Sequence, residues 1–161
     1  MNKAHIVNPQ GSLPRGMSDF AKMVQQKRCF VDKSLLIQEI LHCDDDVVLI
    51  TRPRRFGKTI NLSMLQHFFE ILNRDRDCSD STQRSSLFHG LLVAQNQQTL
   101  QQQGKYPVIS LTFKNIKATN WPEAYKELRS LLRKEIDRHP ECKRCDIAGC
   151  LLYTSPSPRD S

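Results

Sequence analysis

The stretch Arg52-Pro53-Arg54-Arg55-Phe56-Gly57-Lys58-Thr59 has residue types and a spacing that could do chemistry on a phosphate. Gly57, Lys58 and Thr59 match the last three fixed positions of the phosphate-binding loop G-x-x-x-x-G-K-[ST], and Arg52 stands where that pattern places its first glycine. The unpaired N–H groups and the dipole at a helix N-terminus favour an anion. In this reading Gly57 lets the backbone approach a phosphate closely, and the loop backbone around Phe56 and Gly57 holds phosphate oxygens. Lys58 reaches the β- and γ-phosphates, Thr59 offers its hydroxyl to Mg²⁺, and Arg54 and Arg55 add positive potential. The cofactors implied are ATP and Mg²⁺. Two other readings stand beside it: a basic turn that happens to contain Gly-Lys-Thr, and a nucleic-acid-binding module in which Arg52, Arg54 and Arg55 contact backbone phosphates without nucleotide specificity.

A second constellation involves sulfur. Of six cysteines, Cys142 and Cys145 form a C-x-x-C, with His139 and Cys150 nearby. Four such ligands in a compact loop would suit zinc. The plainer reading, which we adopt, is reduced thiols scattered near a chain end.

The elements that must position the loop follow from periodicity. Val47-Val48-Leu49-Ile50-Thr51 is β-branched or apolar on both faces, which predicts a buried parallel strand entering the loop. A helix leaves it over about Lys58 to Leu72, with Ile60, Met64, Leu65, Phe68, Phe69 and Leu72 on a wide apolar face. Upstream, Leu13-Pro14-Arg15-Gly16 is turn-prone and Ser18-Asp19 is a helix cap for a segment carrying Phe20, Met23 and Val24. Cys29-Phe30-Val31 reads as extended, and Asp32 caps a helix from Ser34 to about His42. Downstream, Asn73 to Ser86 reads as a mobile loop, and Gln95 to Gln103 as a solvated helix or loop. Tyr106 to Phe113 reads as a second strand beside and parallel to the first, with Pro107 at its start. Asn120 to about Arg138 is an amphipathic helix, capped by Asn120 with Glu123. Its inner face is Trp121, Tyr125, Leu128, Leu132 and Ile136, taken as core. Strand, loop, helix, connection, strand, helix is an α/β pattern with a parallel sheet. Two strands are few for a complete doubly wound domain, so the expected fold is an incomplete P-loop-type sheet with flanking helices.

Composition is compatible with this. The chain has 161 residues, 39% hydrophobic and 25% charged, an ordinary globular balance. Its 24 Lys and Arg against 17 Asp and Glu give +7, which favours an anionic partner. No apolar run approaches the roughly 20 residues of a membrane span, and Met1 to Gln10 has no apolar signal core. The expected partners are therefore a nucleotide, with nucleic acid as an alternative and no membrane, and the expected location is the cytoplasm.

Beyond the loop itself, Thr51 to Thr59 with Ile60-Asn61-Leu62-Ser63-Met64-Leu65 resembles the predicted AAA-ATPase-like family, whose loop reads R-P-R-R-F-G-K-T before an N-L-S-M-L helix. Leu13 to Phe20, Phe30 to Ile37, Leu87 to Leu91, Tyr106 to Ile109 and Trp121 agree with it, so the resemblance covers roughly 12–138. It implies that the missing first glycine is a family trait, and that ATP binding, with hydrolysis in the full-length member, is the activity. The family's later Walker B strand, apolar and ending in acidic residues, has no match here, and neither has the restriction-endonuclease-like domain that follows in many relatives. Cys150 to Asp160 resembles the translation of a transposase-type sequencing adapter. The organisation expected is thus 1–45 as a helical lead-in, 46–149 as a partial P-loop ATPase-like domain, and 150–161 as a non-native disordered tail. On that reading the chain is an N-terminal fragment, and an inert truncated product is its plainest alternative.

Overall fold

A computed structural model describes residues 5–53, 55–71, 84–114 and 116–139. Elements in chain order are β1 (Ile6–Val7), α1 (Phe20–Gln25), β2 (Phe30–Val31), α2 (Leu35–Leu41), α3 (Lys58–Phe69), a 3₁₀ turn η1 (Leu92–Gln95), α4 (Gln97–Leu100) and α5 (Trp121–Arg138). The chain divides into two compact units, Met1–Val108 and Ile109–Ser161.

The first unit is helical, with one small sheet. β1 and β2 pair antiparallel, Ile6 opposite Val31 and Val7 opposite Phe30. Asp19 caps α1 by accepting from Lys22 N at 3.1 Å. Phe20 and Met23, one helical turn apart, then face inward and are buried. Met64 and Phe68 do the same on α3, and Ile37 on α2. Leu87, Phe88, Leu91 and Val93 complete the core. Its centre is aromatic: Phe20 stacks on Phe88 at 5.4 Å between centroids, and Phe68 meets Phe88 edge-on at 5.1 Å. Burial of each such side chain stabilises the unit by about 1.5–3 kcal/mol. Phe20 N also donates to Ser63 Oγ at 3.1 Å, fixing the start of α1 on α3.

Asp32 is not the cap of α2, whose N-cap residue is Ser34 and which has no side-chain cap bond; its carboxylate instead ties neighbouring segments together. Its side chain is buried, Oδ1 accepting from Ser34 N and Oδ2 from Leu92 N, each at 2.8 Å. His5 Nδ1 lies 3.3 Å from the same Oδ2. The buried Ser34, which is the N-cap residue of α2, accepts from Val93 N at 3.0 Å through Oγ. Residues 32 and 34 thereby clamp the start of η1, across about sixty residues of sequence.

In the second unit, α5 spans Trp121–Arg138. Asn120 Oδ1 accepts from Glu123 N at 3.0 Å and Pro122 sits in the first turn. Near its end, Glu135 accepts from Arg138 Nη1 at 2.9 Å and from Ser110 N at 3.0 Å.

The chain is therefore mixed α and β, and three expectations are corrected. Val47 to Thr51 is not a strand; Val47 and Leu49 are each 83% exposed. Tyr106 to Phe113 is not a strand either, apart from one isolated parallel bridge between Tyr106 and Glu70, and Phe113 is 60% exposed. The expected parallel sheet does not form among the described residues. A run apolar on both faces, as 47–51 is, needs a ladder partner and cover on each face, and β-propensity alone forms no strand. Lastly, the expected inner face of α5 is not core: Trp121 is 73% exposed, and Tyr125, Leu128, Leu132 and Ile136 are half-buried. Leu72, most of the expected loop from Asn73 to Ser86, Cys142, Cys145, Cys150 and the tail 150–161 lie outside the described residues; 84–86 are helical. Among the described residues no helix is long and apolar enough to cross a membrane, and no group of His, Cys, Asp or Glu is arranged to hold a metal ion.

Candidate functional site

The segment that carries the glycine-lysine-threonine triplet is a tight turn leading directly into α3. Arg55 and Gly57 both have positive φ, +68° and +79°, on either side of Phe56. Alternation of this kind curls a backbone into the concave turns that bind anions. Gly57 is the N-cap of α3 and, having no side chain, leaves the helix without a side-chain cap. Its carbonyl accepts from Asn61 N at 2.9 Å, the first bond of the helix. The N–H groups of Lys58, Thr59 and Ile60 have no protein acceptor among the described residues, so the positive end of the helix dipole is open.

Two lysines grip this turn. Lys58 Nζ donates to Arg52 O at 2.7 Å, joining the helix start to the beginning of the loop. Lys33 Nζ donates to Phe56 O at 3.1 Å, joining the clamped residues 32–34 to its end. The space around Gly57 is moderately open, since a Cβ placed there would meet Lys33 Nζ at 3.7 Å and Asn61 Oδ1 at 3.9 Å. It is the conformation, more than the room, that calls for glycine.

The turn opens onto a cavity of about 710 Å³. Arg55, Phe56, Gly57, Lys58 and Thr59 form one wall, with Lys33 beside them. Phe20, Met23, Phe30, Ile60 and Met64 form an apolar floor, and Pro14, Gly16, Met17 and Ser18 close it from the N-terminal turn. Among the described residues, three cations line this cavity and no carboxylate does. An anionic group at the glycine turn attached to a flat apolar group would find partners for both ends.

Of the residues singled out in sequence, the structure brings Arg55, Phe56, Gly57, Lys58 and Thr59 to one cavity wall, while Arg54 lies outside the described residues. Arg52 contributes its carbonyl to the grip of Lys58. His139, considered with three cysteines for zinc, is buried at the end of α5, and those cysteines lie outside the described residues. Sequence reasoning misses Lys33. Asp32 reads as a cap and Lys33 only as part of a similar stretch, and nothing in local spacing ties residue 33 to residue 56. The apolar floor is missed for the same reason: Phe20 and Met23 read as core, which they are, without the cavity they also line.

No curated protein and no solved structure gives a significant match to the chain. A family model described as a predicted AAA-ATPase matches residues 14–151, from the turn that closes the cavity to beyond the end of α5. With that match over most of its length, and with its glycine turn opening α3, the chain belongs to the AAA-ATPase-like family.

Proposed function

We propose that the chain binds a nucleoside triphosphate with Mg²⁺, ATP in the first instance, through the loop 52–59. The observation that supports this best is the cavity at Gly57, lined among the described residues by Lys33, Arg55 and Lys58 without a carboxylate, and floored by apolar side chains. Net cationic lining at an uncapped helix start favours a polyphosphate. An apolar floor favours a base over bulk water. In this reading the N–H groups of Lys58, Thr59 and Ile60 hold phosphate oxygens. Arg54 and Arg55 add positive charge, Phe56 and Gly57 supply the loop backbone around the phosphate oxygens, and Lys58 exchanges its bond to Arg52 O for the β- and γ-phosphates. Thr59 places its hydroxyl toward Mg²⁺, and the metal screens charge between the phosphates.

The test is equilibrium binding of Mg·ATP to the full chain, with a single-stranded oligonucleotide as competitor and Lys58→Ala as the control. Loss of ATP binding in Lys58→Ala, with no competition from the oligonucleotide, is the expected result. Oligonucleotide binding that survives Lys58→Ala and falls with Arg52→Ala and Arg55→Ala would instead favour the nucleic-acid reading.

A further inference from the structure

Lys33 and Lys58 hold the two ends of one loop, and only Lys58 is accounted for by the loop's own sequence pattern. We propose that Lys33 is a second phosphate-contacting residue of the nucleotide site, a role that rests on the function proposed above. Three observations carry it.

The first is place. Lys33 Nζ lies 3.1 Å from Phe56 O and 3.7 Å from where a Gly57 side chain would begin, at the turn whose N–H groups are open. The second is capacity. An ammonium has three N–H donors and no acceptor; Lys33 uses one on Phe56 O, so it can keep the loop in shape and still donate to a phosphate oxygen. Among the described residues, no carboxylate lines the cavity to neutralise it. The third is preorganisation. The residues on either side, Asp32 and Ser34, are buried and bonded to Leu92 N and Val93 N. Only the lysine side chain itself remains to be ordered when an anion arrives, which keeps the entropic cost of the contact low. A bland lysine on a helix shoulder would have neither fixed neighbours nor a fixed partner 23 residues away.

The alternative is that Lys33 acts on the nucleotide only by holding the Phe56 carbonyl. Two neutral variants separate these roles. Lys33→Gln keeps an N–H donor for that carbonyl and removes the charge; Lys33→Met removes both. The full chain and its variants are titrated calorimetrically with Mg·ATP and with inorganic tripolyphosphate, over a series of NaCl concentrations. One charge-assisted hydrogen bond corresponds to about tenfold to hundredfold in affinity. Both neutral variants should lose about that much for both ligands, Lys33→Arg should regain most of it, and the salt dependence should become shallower. Unfolding midpoints should stay unchanged.

Lys33→Gln binding as tightly as the parent while Lys33→Met does not would overturn the proposal, leaving Lys33 a loop-positioning residue. Unchanged affinity in both neutral variants, with binding abolished by Lys58→Ala, would overturn it outright while leaving the nucleotide site intact. Parent protein that binds neither ligand, or binding indifferent to Lys58→Ala, would overturn the site and Lys33 together.

Discussion

Gly57 concentrates the account at a single residue. Its φ of +79° lies in the left-handed region, where an L side chain costs about 1–2 kcal/mol. The nearest atom to a Cβ at this position would be a flexible ammonium at 3.7 Å, so backbone strain rather than a clash sets the cost of substitution. Gly57→Ala should therefore destabilise the chain by about 1 kcal/mol in urea unfolding. Mg·ATP affinity should fall by more than that stability loss explains, because the turn holding the open N–H groups changes shape. The triplet Gly57-Lys58-Thr59 is legible in the sequence because its chemistry is local: three adjacent residues, one turn, one helix start. Lys33 is not, because its partner Phe56 is reached only through tertiary structure. Asp32 sits between these cases. Its type suggests a local bond near a helix start, which it makes to Ser34 N rather than as the cap, but the bond to Leu92 N, sixty residues on, is not visible.

Among the elements, the longer helices and the extended piece at Phe30–Val31 are readable, and the runs 47–51 and 106–113 mislead. Asp19 and Asn120 accept from N–H groups three residues ahead, so the chain carries those helix starts in consecutive residues. Asn120→Ala should lower the stability of α5 by about 1 kcal/mol, seen as reduced helicity and a lower midpoint in circular dichroism. Asn120→Asp, which keeps an acceptor, should restore it; equal loss in both would mean the side-chain acceptor contributes nothing. The segments 47–51 and 106–113 have the composition of strands, but a strand is a property of a pair. Tyr106 shows the limit case. It donates to Phe69 O and accepts from Ile71 N at 2.9 Å, making one parallel bridge at the end of α3. Among the described residues, 107–113 forms no strand. The apolar face of α5 teaches the same lesson, because periodicity identifies a face and only a neighbour buries it.

Across the molecule, the core and the proposed site meet in the first unit, where α1 and α3 pack together and also line the cavity. His67 sits at that junction, its Nε2 3.7 Å from Asp19 Oδ1, an ion-pair distance too long for a hydrogen bond. Burial, and then the nearby Arg84 guanidinium, hold its pKa below the usual histidine value, and Asp19 and Glu70 only partly oppose them. The folded state therefore binds this proton less readily than the unfolded chain. The corresponding stability is fully present above the ordinary value of about 6.5 and is lost as pH falls below it. Unfolding midpoints should decline from neutral toward acid pH, and His67→Gln should flatten that decline; an unaltered profile would assign the pH dependence to other groups.

The central claim, that the turn at Gly57 receives phosphate, is tested most directly by amide chemical shifts of the ¹⁵N-labelled full chain titrated with Mg·ATP. The N–H groups of Gly57, Lys58, Thr59 and Ile60 should move first and furthest, saturably, and should stay still in Lys58→Ala. Saturable shifts elsewhere with these four amides unmoved, or no shifts at any concentration, would contradict the account.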